Sequence, residues 1–264
     1  MKHLFTIILF FVGFQASNVD KESAFKEGEW FKFKMSYSGF LKAGNATLSL
    51  KETNLDGKSV YHVVGKGWTT GPVKWMFKVK DRYESYFDKE TGAPYKFIRK
   101  IDEGGHTKDI EINFDHQNRK AEVFNKKKKK VKTITTEKDV QDMVSMYYYL
   151  RNNIDISSLK KGDEIKTNMF FDEENYGFKL KYLGTETIEV DVNGSDVNVK
   201  TLKFRPYVMA GRVFKEEESL TLWVSADKNK IPLKIKADLA VGSLRADLVE
   251  FKGLKHSFKI EFKD

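Results

Sequence analysis

Five histidines are the side chains best suited to proton transfer or metal binding near neutral pH, and none sits at a spacing that makes a site by itself. His3 stands just before the N-terminal apolar run, and His62 belongs to an alternating segment. His106 follows Gly104-Gly105, His116 follows Asp115, and His256 opens the last alternating segment. No pair stands at the helical i, i+4 interval that presents two ligands on one face. Cysteine is absent, which excludes thiolate metal sites, cysteine nucleophiles and a disulfide scaffold. Neither a Gly-x-Ser-x-Gly elbow, a P-loop nor a dinucleotide glycine pattern occurs. The carboxylate runs Glu173-Glu174 and Glu216–Glu218 read as solvated loops. A glycan-acting enzyme would need two acids facing each other across a cleft, which spacing along strands does not reveal. The residues therefore point to no catalytic set, no metal site and no cofactor.

Binding is better represented. Gly65–Phe77 concentrates Trp68, Trp75, Met76 and Phe77 around glycines and a proline, with Lys74 among them. Glycine lets the backbone turn, while Trp and Met offer an adaptable apolar surface. Tyr207–Phe214 holds the equivalent place further on, with Met209 and Arg212. These segments read as two flaps at one rim of a curved sheet, guarding an apolar cavity. Lys74 and Arg212 would meet an anionic head group, and Tyr147 would line the cavity from a covering helix. A second basic feature is the run Lys126, Lys127, Lys128, Lys129 and Lys130. It reads as a hairpin tip between Ala121–Phe124 and Val131–Thr135. Its charge either protects an edge from aggregation or forms a patch for an anionic surface.

Such residues need strands to position them. Phe31, Phe33, Met35 and Tyr37 alternate with polar residues, as do Ala46, Leu48 and Leu50. Leu233, Ile235, Ala237 and Leu239 repeat the pattern, and Phe258, Ile260 and Phe262 close it. Period-two alternation means strands with one apolar and one wet face. Turn signals recur at Asp56-Gly57, Gly104-Gly105, Asn193-Gly194 and Asp227-Lys228-Asn229. The fold class is all-β: a curved antiparallel sheet or open β-barrel of fifteen or so strands.

One segment breaks the rhythm. The spacing of Val140, Met143, Val144, Tyr147 and Tyr148 predicts a helix over Glu137–Arg151, capped by Thr136 and ended by Asn152-Asn153. Val140, Met143, Val144 and Tyr147 should face the sheet, with Asp139 and Gln141 toward solvent. The segments on either side resemble each other. Trp30–Tyr37, Gly44–Leu50, Val60–Val64, Tyr83–Phe87 and Pro94–Ile98 recur in order as Ile165–Phe171, Gly184–Val190, Val197–Phe204, Leu220–Ala226 and Pro232–Ile235. The chain divides into a signal peptide (1–17), a first β half (18–136), a connecting helix (137–152) and a second β half (153–264).

The signal rests on Lys2 followed by the apolar run Leu4–Phe14, too short to span a bilayer, with Ala16 and Ser17 as small residues for cleavage. An exported, soluble, periplasmic protein is expected. Lys and Arg total 47 against 38 acids, a formal charge of +9. In an envelope compartment that excess meets lipid head groups and anionic glycans rather than nucleic acid. Aromatic residues at 14% exclude intrinsic disorder.

Several motifs bear a likeness. Asp81-Arg82-Tyr83-Glu84-Ser85, Pro94–Arg99, Asn113-Phe114-Asp115 and Gln141-Asp142 through Tyr147–Arg151 together resemble the domain of unknown function 3108. Its members are exported bacterial proteins, many from Gram-negative envelopes, and they supply no catalytic residues to carry over. The proline-opened hairpin resembles, more distantly, the curved-sheet fold of the lipoprotein-localisation factors LolA and LolB. That likeness implies an apolar cavity. The leading expectation is an envelope protein binding a lipid or other amphiphile in that cavity. The alternatives are an assembly partner of another envelope protein and, more remotely, a glycan-acting enzyme.

Overall fold

A computed structural model of the 264-residue chain describes residues 22–207, 220–239 and 242–261. The segment read as a signal lies outside the described residues, as do Met209, Arg212, Phe262 and most of the second flap. The first eight strands are β1 (Trp30–Tyr37), β2 (Leu41–Leu55), β3 (Lys58–Thr69), β4 (Lys80–Asp88), β5 (Pro94–Glu103), β6 (His106–Asp115), β7 (Lys120–Asn125) and β8 (Lys130–Thr135). Six more are β9 (Glu164–Phe171), β10 (Glu174–Val192), β11 (Ser195–Tyr207), β12 (Leu220–Ser225), β13 (Pro232–Asp238) and β14 (Ser243–Lys252). Helix α1 (Gly71–Met76) joins β3 to β4, and α2 (Ser145–Asn153) lies between β8 and β9.

All fourteen strands form one antiparallel sheet, ordered β8-β7-β6-β5-β4-β3-β2-β1-β14-β13-β12-β11-β10-β9. Strands β1–β5 and β9–β13 are each a simple meander. Both proline-opened hairpins carry a register shift at the proline, where Phe87 faces Pro94 and Val224 faces Pro232. Proline tolerates the first strand position because no ladder donor is needed there, and a shifted register bends the sheet. A twisted sheet this wide curls on itself rather than staying flat.

The curl brings the edge strands β8 and β9 toward each other, and the linking chain fills the gap. The Gln141 amide donates to the Asn168 carbonyl (2.9 Å), and the Phe170 amide donates to the Gln141 carbonyl (2.8 Å). Asn175 adds a side-chain bond to the Thr135 carbonyl (2.9 Å) and accepts one from the Glu137 amide (3.1 Å). Asp172, in the β9–β10 turn, takes ion pairs from Arg99 and Lys108, and Glu173 pairs with Lys132. These contacts span the opening.

The helix corrects the expectation. It begins at Ser145, not Glu137, because residues 137–144 are committed elsewhere: Gln141 pairs with β9 in an extended conformation. Asp142, rather than Thr136, caps it. The Asp142 carboxylate accepts from the amides of Val144 (2.7 Å) and Ser145 (2.8 Å), while the Ser145 hydroxyl accepts from the Asp142 amide (3.0 Å). This is a reciprocal capping box. Gln141 is buried and Met143 exposed, the reverse of the helical spacing.

Helix α2 lies on the concave side and serves both halves. Val140, Val144 and Tyr148 pack with Val63, Phe87, Phe97 and Ile112 of the first half. Met146 and Leu150 pack with Leu180, Leu202, Phe204 and Val224 of the second. A third cluster, around Phe31, Ile231, Leu233 and Leu248, sits where the two meanders join.

Candidate functional site: an open rim above a locked base

Antiparallel order assigns every connection to one of two ends. The β1–β2, β3–β4, β5–β6, β7–β8, β9–β10, β11–β12 and β13–β14 connections share one end, here called the rim. The start of β1 and the β4–β5 and β12–β13 turns share the other, the base.

At the rim, α1 is held down by its ends. The Thr70 amide donates to the Ala43 carbonyl (3.0 Å), and the Gly104 amide donates to the Lys78 carbonyl (2.8 Å). Two glycines permit this seating. A Cβ on Gly44 would lie 2.2 Å from the Trp68 carbonyl oxygen, and one on Gly104 would lie 2.5 Å from the Phe77 ring. No residue of α1 is buried. Trp75 is 92% exposed, Met76 87%, and Phe40 in the β1–β2 turn 83%. Phe77, Leu41 and Trp68 are partly exposed beside them. Scattered apolar residues on a surface need no explanation, but these all lie at one end of the sheet.

Lysine flanks the cluster. Lys42, Lys74 and Lys80 have no acidic partner among the described residues, while Lys78 reaches Asp102 at 4.0 Å. Lys126–Lys129 form the β7–β8 turn at the same end and Lys130 opens β8, so the run lies at a hairpin tip as the spacing predicts. Lys126 is drawn to Glu111 (2.6 Å) and the Lys127 ammonium to the Thr107 hydroxyl, whereas the charges of Lys128, Lys129 and Lys130 have no acidic partner among the described residues.

Inside the rim lies a polar collar. Arg99 stands over the rings of Tyr83 and Phe171 and pairs with Asp172. Burial pushes the Asp172 carboxyl up, but hydrogen bonds from Lys108 and Arg99 outweigh it and hold the pKa low. Asp81 behaves oppositely: burial, reinforced by the neighbouring Glu103 charge, lifts it to about 6.

The base is locked. Arg151, buried at the end of α2, forms a two-pronged pair with Glu29 (2.6 and 2.7 Å). It also donates to the carbonyls of Asn229 (2.9 Å) and Ala24 (3.3 Å). Its guanidinium lies within 6 Å of the ring centres of Phe25, Phe31, Tyr147 and Tyr148. Asp142 is fully buried and accepts from the Ser85 hydroxyl (2.6 Å). Burial raises its carboxyl to about 6 despite those hydrogen bonds. Gln141, Asp142, Ser145, Tyr148 and Arg151 thus each hold the helix in place. A cleft of about 250 Å³ opens nearby, lined by Phe25, Phe87, Tyr148, Tyr149 and the β4–β5 turn.

Trp68 stands near the end of β3, Lys74, Trp75 and Met76 lie on α1, and Phe77 follows it. Tyr147 does not join them: it packs in the interior beside Tyr148 and Arg151, on a helix whose Tyr149 touches Gly92 in a base turn. Phe40 was not among the expected residues, although an apolar pair, Phe40-Leu41, inside the turn after Gly39 is its signal. Also unforeseen is a trio on the other face of the sheet, where buried His62 bonds buried Glu84 (2.8 Å) and the partly exposed Arg82 bonds Glu84 (2.6 Å). His62 stacks on Tyr86 with ring centres 4.0 Å apart. Burial lowers the His62 pKa, partly offset by Glu84; burial raises that of Glu84, but Arg82 and His62 bring it below the usual value. Cross-strand register, absent from the linear pattern, creates this trio. Among the described residues no group of three His, Asp or Glu could hold a metal ion, and no helix is long and apolar enough to cross a membrane.

Comparison with solved structures supports the architecture. The chain is similar to a β-barrel-like protein of the DUF1849 domain from Brucella abortus, with a TM-score of 0.58 at 11% identity, covering 88% of this chain and 100% of that one. A weaker likeness, TM-score 0.34 at 13% identity, links it to a protein from Parabacteroides distasonis assigned as a lipoprotein, covering 88% and 100%. Among the curated proteins, none matches. The profile of DUF3108, a protein family of unknown function, matches residues 32–249, from the second residue-pair of β1 to within β14. That span takes in both meanders, the collar and every residue of the Gln141–Arg151 lock, and the chain belongs to the DUF3108 family.

Proposed function

We propose that this is an exported envelope protein that binds an amphiphile at its rim. The observation that carries the reading is the exposure of Trp75, Met76 and Phe40 on one end of a barrel whose concave side is occupied by α2. The cleft beside α2, about 250 Å³, is smaller than a pocket that encloses a drug-sized ligand, roughly 300–1,000 Å³. An acyl chain would meet exposed apolar side chains at the rim. Export is supported by the Lys2 and Leu4–Phe14 signal pattern.

The test is titration of the secreted, detergent-free protein with dodecylphosphocholine, followed by tryptophan emission. Wild type should shift to the blue as micelles form around the rim. The Phe40→Ser/Trp75→Phe/Met76→Ser variant should lose most of that shift while unfolding at the same temperature. A full shift in this variant, abolished instead by a change in α2, would move the ligand to the interior. Recovery of a stoichiometric protein partner with no response to micelles would support the assembly role.

A further inference from the structure

We infer that the rim docks on an anionic phospholipid surface, with Trp75, Met76 and Phe40 entering the interface and lysines holding the head groups. This deepens the amphiphile reading and rests on it. The argument is charge complementarity around the apolar cluster. From Thr70 to Lys80 the chain carries Lys74, Lys78 and Lys80 and no acid. Lys42 stands one residue beyond Leu41 at the start of β2, next to the β1–β2 turn. Asp81 and Glu103 lie on the same strand face as the core-facing Tyr83 and Ile101 and so point to the inside of the barrel, while Asp102, on the other face, is answered by Lys78 at 4.0 Å.

Each class of side chain has a separate task. Tryptophan favours the head-group level of a bilayer because its ring is apolar and its N–H polar. Lysine can lay its methylene stem against the apolar layer while the ammonium stays with phosphate. The Lys126–Lys130 turn lies lower, since the Lys126 amide donates to the Asp109 carbonyl several residues below the β5–β6 turn. Its charge acts at a distance of about one Debye length, roughly 8–10 Å at ordinary ionic strength. Interfacial binding then scales with buried apolar area plus attraction to anionic lipid. A protein partner would call for the same apolar anchors but not for a surround in which lysines outnumber acids.

The experiment is flotation of the secreted protein with two vesicle types: phosphatidylcholine alone, and phosphatidylcholine mixed with phosphatidylglycerol. Wild type should bind the mixed vesicles more tightly, and added salt should weaken that binding. Lys42→Gln/Lys74→Gln/Lys78→Gln/Lys80→Gln should lose about fivefold per lysine on the mixed vesicles and little on the neutral ones. Replacing the five turn lysines with Gln should slow association with a smaller loss at equilibrium. Brominated lipid should quench wild type but not Trp75→Phe. Equal affinity for both vesicle types, with quenching kept, overturns the anionic surface and leaves the rim reading standing. Salt-sensitive binding without quenching overturns insertion at Trp75, and with it the rim reading. Binding to neither vesicle by wild type that unfolds normally overturns both.

Discussion

The two ends of this barrel are built from the same residue types and put them to opposite use. At the base, Tyr148, Phe25, Phe31 and Arg151 are buried together, and each polar group of the guanidinium is spent on Glu29, Asn229 or Ala24. At the rim, Trp75, Met76 and Phe40 face outward beside lysines that lack acidic partners among the described residues. Aromatic and cationic side chains thus lock one end and leave the other available. The difference lies in satisfaction. A buried charge must be paired, because an unpaired one costs several kcal/mol, whereas an exposed one keeps its water. The base can therefore specify structure, and the rim can meet something else.

The largest expected effect lies at the lock. Arg151→Met leaves Glu29 buried without its partner and should cost about 3–5 kcal/mol in urea unfolding. Tyr148→Ala opens a cavity in the first-half cluster and should cost about the same. Exchanging both members of the pair, as Arg151→Met/Glu29→Met, should cost less than Arg151→Met alone, because no bare charge remains. A double variant as unstable as the sum of its singles would mean that Arg151 and Glu29 are not coupled, and the lock would fail.

A middle-sized effect belongs to Asp142, whose folded carboxyl titrates near 6 against an ordinary value of 3.8. The sign follows from the raised pKa. The folded state binds the proton more tightly than the unfolded chain, so keeping Asp142 ionised costs stability above about pH 6, and that cost fades as pH falls toward 4. Asn at this position keeps the acceptor for the Val144 and Ser145 amides and can donate to Ser85. Asp142→Asn should then gain on wild type at neutral pH, and the difference should shrink on acidification. A difference that stays constant across that range would show that Asp142 is not the titrating group.

The smallest effect marks the rim. Trp75→Ser and Met76→Ser remove exposed side chains and should each change stability by no more than about 0.5 kcal/mol. Thermal unfolding of the two variants checks this directly. A loss several times larger would mean that α1 is packed as part of the fold, and the contrast between the ends would fail.

Most strand periodicity, the turn dipeptides and the lysine turn were readable along the chain, since each depends on near neighbours, but the alternation at Phe258 and Ile260 forms no strand, only a single bridge at Glu261. The pairing of β7 with β8 around Lys126–Lys130 follows the alternation on either side of it. The meander order of β1–β5 and β9–β13 was legible too, through the repeated succession of glycine turns and proline-opened strands. So was the apolar character of the segment that carries Trp68, Trp75 and Met76. The helix was legible in existence but not in extent. Its spacing reached back to Glu137, yet Gln141 is claimed by β9 and Asp142 by Ser85, and both claims come from strands far off in sequence.

What the amino-acid sequence determined by itself is what local chemistry determines: all-β class, the place of each turn, the absence of thiol chemistry, and a basic, aromatic connection after the third strand. Tertiary structure alone decided the rest. Sheet order brings Phe40 to the same end as Trp75, and curvature places α2 inside, where it takes the space of a cavity. Burial of Gln141, Asp142 and Arg151 turns a segment expected as a covering helix into a lock. Periodicity states which side of a strand is apolar, but whether that side meets a helix, a ligand or water is settled by partners that the linear pattern does not contain.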